Sequence, residues 1–219
     1  PIIFYERMAF CVEIPSIHEY IDGKLVNLCF GGVRALNHEN LYGKKTAEKF
    51  KIFCGFSPKV CTNLTISTDG LKSNFKAMSG HDLFKGTLEL FGDYNPARHL
   101  HLLESFNNTF ISEHEFAQIV GKSRLYQFLP AQKKKALPCL EFGDSHINIM
   151  AKSYYNDPNF RRHPITKYLS MWNLLNLLTG ANKSSYIDSY LERALNATQL
   201  TEGIMKALHG NDEYRWFIE

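Results

Sequence analysis

No apolar run in this sequence approaches the roughly 20 residues needed to cross a bilayer, and no secretory leader is recognisable. The expectation is therefore a soluble, cytoplasmic protein without a membrane partner. Cysteine is sparse and odd in number: five residues without close pairing, which argues against a disulfide framework and for reduced thiols. Cys11, Cys29 and Cys54 fall inside strand-like runs, where they serve as small apolar residues. There is no metal-ligand box, no phosphate-binding glycine loop and no recognisable catalytic triad, and neither a cofactor nor a catalytic residue is implied. Internal repeats and low-complexity tracts are missing too. A net charge of +3 is only mildly basic, so charge alone does not mark a polyanion-binding protein. With 44% hydrophobic and 21% charged residues the chain is globular, and its 219 residues suit one sizeable domain.

What is present is patterned. From Ile2 to Ile14 apolar residues alternate with period two, which predicts a long strand stopped by Pro15. Asp22-Gly23 supplies a hairpin turn into a second strand, Lys24 to Leu36, in which Gly31-Gly32 signals a bulge or a close backbone approach. Phe50 to Phe56 and Val60 to Thr68 form a second pair, ended by Asp69-Gly70. In the last of these strands Val60, Thr62, Leu64 and Ile66 share a core side, while Cys61, Asn63, Thr65 and Ser67 line a polar face open to water or a ligand.

From Ser79 the period becomes helical. Ser79-x-x-Asp82 and Ser112-x-x-Glu115 match the capping box, the first ahead of Leu83, Thr87, Leu88 and Phe91, the second ahead of Phe116, Ile119 and Val120 before Gly121. Leu100, Leu103 and Phe106 mark another helix, Ser123 to Leu129 a short turn before Pro130, and Ile147, Met150, Ala151 and Tyr154 a further helix. The fold class is α+β: a four-stranded, mainly antiparallel sheet of two hairpins followed by a predominantly helical half packed on it. A single domain over 1–219 is expected, with a sheet half at 1–70, a helical half at 79–210 and a short terminal strand at 213–218.

The stretch from Met171 to Gly210 is the most strongly periodic. Met171, Leu174, Leu175 and Leu178 form an apolar stripe that Trp172 widens, and Asn173 and Asn176 beside it need hydrogen-bond partners, which a neighbouring loop would supply. Gly180 is placed to close this helix in the left-handed conformation, and Ser184 or Ser185 to cap the next, which buries Ile187, Tyr190, Leu191, Ala194 and Leu195. Asn182, Lys183, Ser184 and Ser185 between them put amides and a lysine at a helix start, a seat for phosphate or carboxylate.

The segments WNLLNLLTGANKSSYID, VCTNLTISTDG and the closing YRWF together resemble an uncharacterised bacterial family of domain-of-unknown-function proteins related to the phage/plasmid-like proteins of mobile elements. The resemblance covers essentially the whole chain. It implies a setting among prophages, plasmids and conjugative elements, and no established activity. Pro1 stands where an initiator Met would, so the family's N-terminal portion is expected to be missing.

Chemistry-bearing residues are scattered. His99 and His101 lie two apart with no complementary ligand in view, Cys61 has no predictable histidine beside it, and the acid pairs Glu6 with Glu13 and Asp69 with Asp93 have no spacing that requires a metal. Cations are better distributed. Arg34, Lys44, Lys45, Lys49, Lys51 and Lys59, with Arg7, come from the sheet half and interleave with Tyr5, Tyr42 and Phe53. They read either as ordinary surface charge or as the phosphate and stacking contacts of single-stranded nucleic acid. Lys133-Lys134-Lys135 reads as a solvated run. Four strands followed by a helix is similar to the core of phage single-strand annealing proteins, by fold-level analogy.

The sequence therefore points to a non-enzymatic, DNA-binding protein of a mobile element, with single-stranded nucleic acid and further copies of itself as partners. The alternatives are a metal-dependent nuclease or phosphotransfer enzyme, and a protein-protein interaction scaffold.

Overall fold

The two-residue alternation of the first third builds one antiparallel sheet of five strands in chain order, β1 to β5. They are β1 Ile2–Phe4, β2 Arg7–Ile21, β3 Lys24–Arg34, β4 Glu48–Pro58 and β5 Leu71–Ala77. The computed structural model describes residues 2–4, 7–34, 48–58, 63–130, 132, 142–157, 168–184 and 187–219. Asp22 and Gly23, at φ 51° and 69°, make the hairpin turn expected of this dipeptide, whose positive φ values match the twist of the flanking strands.

Three strand expectations are corrected. The run Ile2 to Ile14 is not one strand: Phe4 pairs with Arg7, so the chain has reversed between them. Pro15 does not end β2, because a register slip between Ile14 and His18 takes the proline out of the ladder and the strand continues to Ile21. Val60 to Thr68 is not the fourth strand. Its described part is irregular, with one bridge from Thr65 to Phe56, and the strand beside β4 is Leu71–Ala77. The alternation misleads there because both sides are covered: Leu64 and Ile66 are buried, and so are Asn63, Thr65 and Ser67. A close approach does occur at Gly31, where a Cβ would stand 2.1 Å from the Phe10 carbonyl oxygen.

The remaining residues are mostly helical: α1 Gly80–Asp93, α2 Pro96–Asn108, α3 Glu113–Tyr126, α4 Asp144–Asn156, α5 Met171–Ala181 and α6 Ile187–Leu208. Both expected capping boxes form, Ser79 with Asp82 and Ser112 with Glu115. In α1 the side turned inward carries Gly86 and Leu90, while Leu88 is exposed. The glycine lets the helix settle on the Phe75 ring, which a Cβ would meet at 2.2 Å. Gly121 does not end a helix, and α3 runs through it to Tyr126.

Helix α5 is buried on every side from Met171 to Thr179, beyond the one-sided stripe its periodicity suggests. Asn176 donates to the Trp172 carbonyl at 2.8 Å, a partner within its own helix. Gly180 is helical, and the chain tightens into a 3-10 turn at Asn182–Ser184 in place of a left-handed cap. The closing segment is likewise a 3-10 turn, Arg215–Phe217, and not a strand, because Tyr214 and Phe217 bury themselves at a spacing of three.

Two compact units result: Pro1–His99 with Ser185–Leu195, and Leu100–Ser184 with Asn196–Glu219. The first holds the sheet. The second is helical apart from a two-residue ladder, β6 Phe110–Ile111 with β7 Leu169–Ser170, whose ends lead into α3 and α5 through their serine caps. Among the described residues, no helix is long and apolar enough to cross a membrane.

Candidate nucleic-acid interface

Register and alternation decide what the sheet offers. Val33 lies opposite Lys51, and Gly31 opposite Phe53, so Ala9, Val33, Lys51, Phe53, Leu71 and Cys29 share one side. Leu64 and Ile66 cover that side together with Tyr190, Leu191, Ala194 and Leu195 from the start of α6. The opposite side carries Phe30, Ile52, Cys54 and Phe56, met by Phe91, Tyr94 and His99 from α1 and the chain beyond it. The middle of the sheet therefore has no open polar face. Lys51 is ion-paired to Glu192 at 2.7 Å with its side chain 16% exposed, and Phe53 is core, so neither is a free contact for a nucleic acid.

The end of the sheet differs. Arg34 closes β3 opposite Phe50, and Lys49 lies opposite Lys76, so three neighbouring strands bring a cation each to one end. Lys49 and Lys76 share a side and Arg34 takes the other. Phe50 and Phe75, both half-buried, pair across the same end. Residues 35–47, which include Tyr42, Lys44 and Lys45, connect β3 to β4 here and lie outside the described residues, as do Tyr5, Lys59 and Cys61. Lys76 is exposed and absent from the sequence-derived set, although the alternation LKSNFKA just past Asp69-Gly70 carries the signal.

The loop after α5 offers less. Asn182 is fully buried and its backbone N–H already donates to the carbonyls of Gly180 and Leu178, whereas Lys183 is exposed. Ser184 ends the 3-10 turn, and Ser185 lies outside the described residues.

One cluster has catalytic residue types but is sealed. His99 is 1% exposed and its Nδ1 shares a 2.7 Å hydrogen bond with the Tyr94 hydroxyl. Burial lowers His99 to about 4 and, aided by the negative charge potential of Cys54 and Asp69, pushes Tyr94 up. Cys54 is pushed up to about 12 by burial and by Asp69. Asp69 itself, although burial opposes it, is held below its ordinary value by bonds from the Ser67 hydroxyl and the Asn95 N–H. A thiol kept protonated and a histidine kept neutral in the core hold a structure together and do not reach a substrate. His101 is on the exposed side of α2, so the two histidines do not converge. Asp93 pairs with Lys72 at 3.6 Å and Asp69 is occupied elsewhere. Among the described residues, no group of three His, Cys, Asp or Glu is placed to hold a metal ion.

Residues 2–218 match a family model described as "Domain of unknown function, B. Theta Gene description (DUF3871)", a description that names no activity and no mobile element. No curated protein and no solved structure matches the chain.

Proposed function

Because the chain belongs to the DUF3871 family, whose function is unknown, no activity is inherited, and we propose from its own residues a non-enzymatic protein that binds single-stranded nucleic acid at the cationic end of its sheet. The observation that carries this reading is the direct opposition of Lys49 and Lys76, with Arg34 on the next strand. Like charges directly opposite one another across a ladder repel. A phosphate lying across the pair meets both cations at once. Phe50, half-buried on the side that Arg34 shares, is the aromatic surface for base stacking, since α1 covers the Phe75 ring. An annealing-type role on a phage- or plasmid-derived element is the narrower form of the proposal, supported by the segment resemblance.

A protein-binding scaffold is the second reading. Exposed apolar side chains favour it: Val12, Ile17 and Tyr20 on β2, and Met78, Phe84 and Leu88 at α1. Among the described residues, β2 has no strand outside it beyond Ala9, which also suits association between copies.

Charge reversal separates the sites. Lys49→Glu/Lys76→Glu should reduce retention of a labelled oligothymidylate at low ionic strength to background, and Lys183→Glu should leave it unchanged. The opposite pattern would move the site to the loop after α5. An unmutated protein that retains no oligonucleotide ends the nucleic-acid reading in favour of the scaffold.

A further inference from the structure

The β2–β3 register builds a cysteine pair. Cys11 lies opposite Gly31 and Glu13 opposite Cys29, so Cys11 and Cys29 are diagonal neighbours on one side of the sheet. Their thiols lie close enough to shift each other's proton affinity. The two environments differ sharply: Cys11 is exposed, whereas Cys29 is fully buried, its Sγ donating to the Gly55 carbonyl at 3.4 Å. Glu13 faces both thiols and accepts from the Asn27 amide at 3.0 Å, and Tyr190 of α6 stands close to both. The neighbouring Cys29 holds the Cys11 thiol below its ordinary range, against burial and the Glu13 charge. The same contact, with burial, pushes Cys29 up. Of the two sulfurs, the reachable one is thus the more easily deprotonated.

We propose that Cys11 is an oxidisable thiol, converted by a peroxide to the sulfenic acid and resolved by Cys29 into a disulfide between β2 and β3. In the first step the Cys11 thiolate attacks one peroxide oxygen and the O–O bond breaks. Sulfur is oxidised by two electrons, and the departing hydroxide takes up a proton as water. In the second step Cys29 gives up its proton and its sulfur attacks the Cys11 sulfur. The S–S bond forms, the S–O bond breaks, and the hydroxide leaves with that proton as a second water. Diagonal positions stand about 7–8 Å apart at Cα, wider than the roughly 4.4–6.8 Å of a relaxed disulfide. Closing the bridge therefore draws β2 towards β3 at Cys11, where among the described residues no strand lies outside β2. A bridge closed under such strain is readily reduced again by a dithiol.

Trypsin reads the result without ambiguity, because cleavage after Arg7, Lys24 and Arg34 puts Cys11 in Met8–Lys24 and Cys29 in Leu25–Arg34, one cysteine in each. After stoichiometric hydrogen peroxide the full chain, digested without reductant, should yield these peptides joined, lighter than their sum by two hydrogens and separated by dithiothreitol. In Cys29→Ser the oxidation should stop at Cys11 and be captured there by dimedone. The proposal is overturned if the unmutated chain gives Cys11 as sulfinic or sulfonic acid with no linked peptide, leaves Cys11 unmodified, or links Cys11 to another cysteine instead. The unmutated chain alone decides these outcomes, should the variant fail to fold.

Discussion

Replacing Trp172 by Ala is expected to cost roughly 3 to 5 kcal/mol, read from the denaturant midpoint at unchanged slope. Trp172 is 0% exposed in the first turn of a helix buried on every side, so truncation opens a cavity that no solvent-facing neighbour can collapse to fill. The N-terminal end of α5 is pinned twice. Ser170 caps it by accepting from the Asn173 N–H at 3.2 Å, and the Met171 N–H donates to the Thr109 carbonyl at 2.8 Å. Total stabilities are only about 5–15 kcal/mol, so the variant should lie near the threshold of folding. Trp172→Phe should cost much less, because it keeps most of the apolar volume and removes an indole N–H that has no hydrogen-bond partner among the described residues. A melting midpoint unaffected by Trp172→Ala would mean that α5 is not the core helix described.

Acid should destabilise the protein well above the carboxylate range, through His99. Its folded-state value, about 4, lies below the ordinary 6.5, and burial is the main cause. Above pH 6.5 both folded and unfolded forms are neutral there, and His99 adds no pH dependence. As pH falls from 6.5 towards 4 the unfolded chain binds a proton that the folded one refuses, so stability is lost at about 1.4 kcal/mol per pH unit, or about 3 kcal/mol across the window. His99→Gln retains an acceptor for the Tyr94 hydroxyl and cannot titrate. Its stability should be nearly flat across that window. Asp69, with its value lowered, adds stability above its ordinary 3.8 that is lost only as pH falls below it, so the two effects separate on the pH axis. Equal slopes for the parent and His99→Gln between pH 6.5 and 4 would remove His99 from the account.

Local chemistry was legible in the sequence wherever a few adjacent residues decide the outcome. The two capping boxes, the Asp22-Gly23 hairpin and the burial of the Trp172 helix all depend on spacing within a turn or two. Partner choice across the chain was not. Val60 to Thr68 and Leu71 to Ala77 both alternate, and only the pairing of Phe50 with Phe75 shows which one continues the sheet. The covering of Lys51 depends on Glu192, far along the chain, and no local pattern signals it. At the closing segment the period was misread: burial of Tyr214 and Phe217 at i and i+3, with Gly203 making room for the Tyr214 ring, is a helical signal hidden in a run of alternating aromatics. Of the cationic set, Arg34 and Lys49 keep their place at one sheet end, while Lys76 joins them through a strand that composition does not single out.

The salt dependence of oligonucleotide binding tests the central claim most directly. Fluorescence anisotropy of a labelled oligothymidylate, titrated with the full chain across a range of salt concentrations, should give log K falling linearly with log salt, at about 0.7 per phosphate neutralised. Lys49→Ala/Lys76→Ala should lower the magnitude of that slope by about 1.4 and weaken binding without changing base preference. Replacing Lys133, Lys134 and Lys135 by Ala, which removes more charge elsewhere in the sequence, should leave the slope as it was. No binding at low salt, or an equal flattening by both sets of substitutions, would contradict a phosphate-binding end of the sheet.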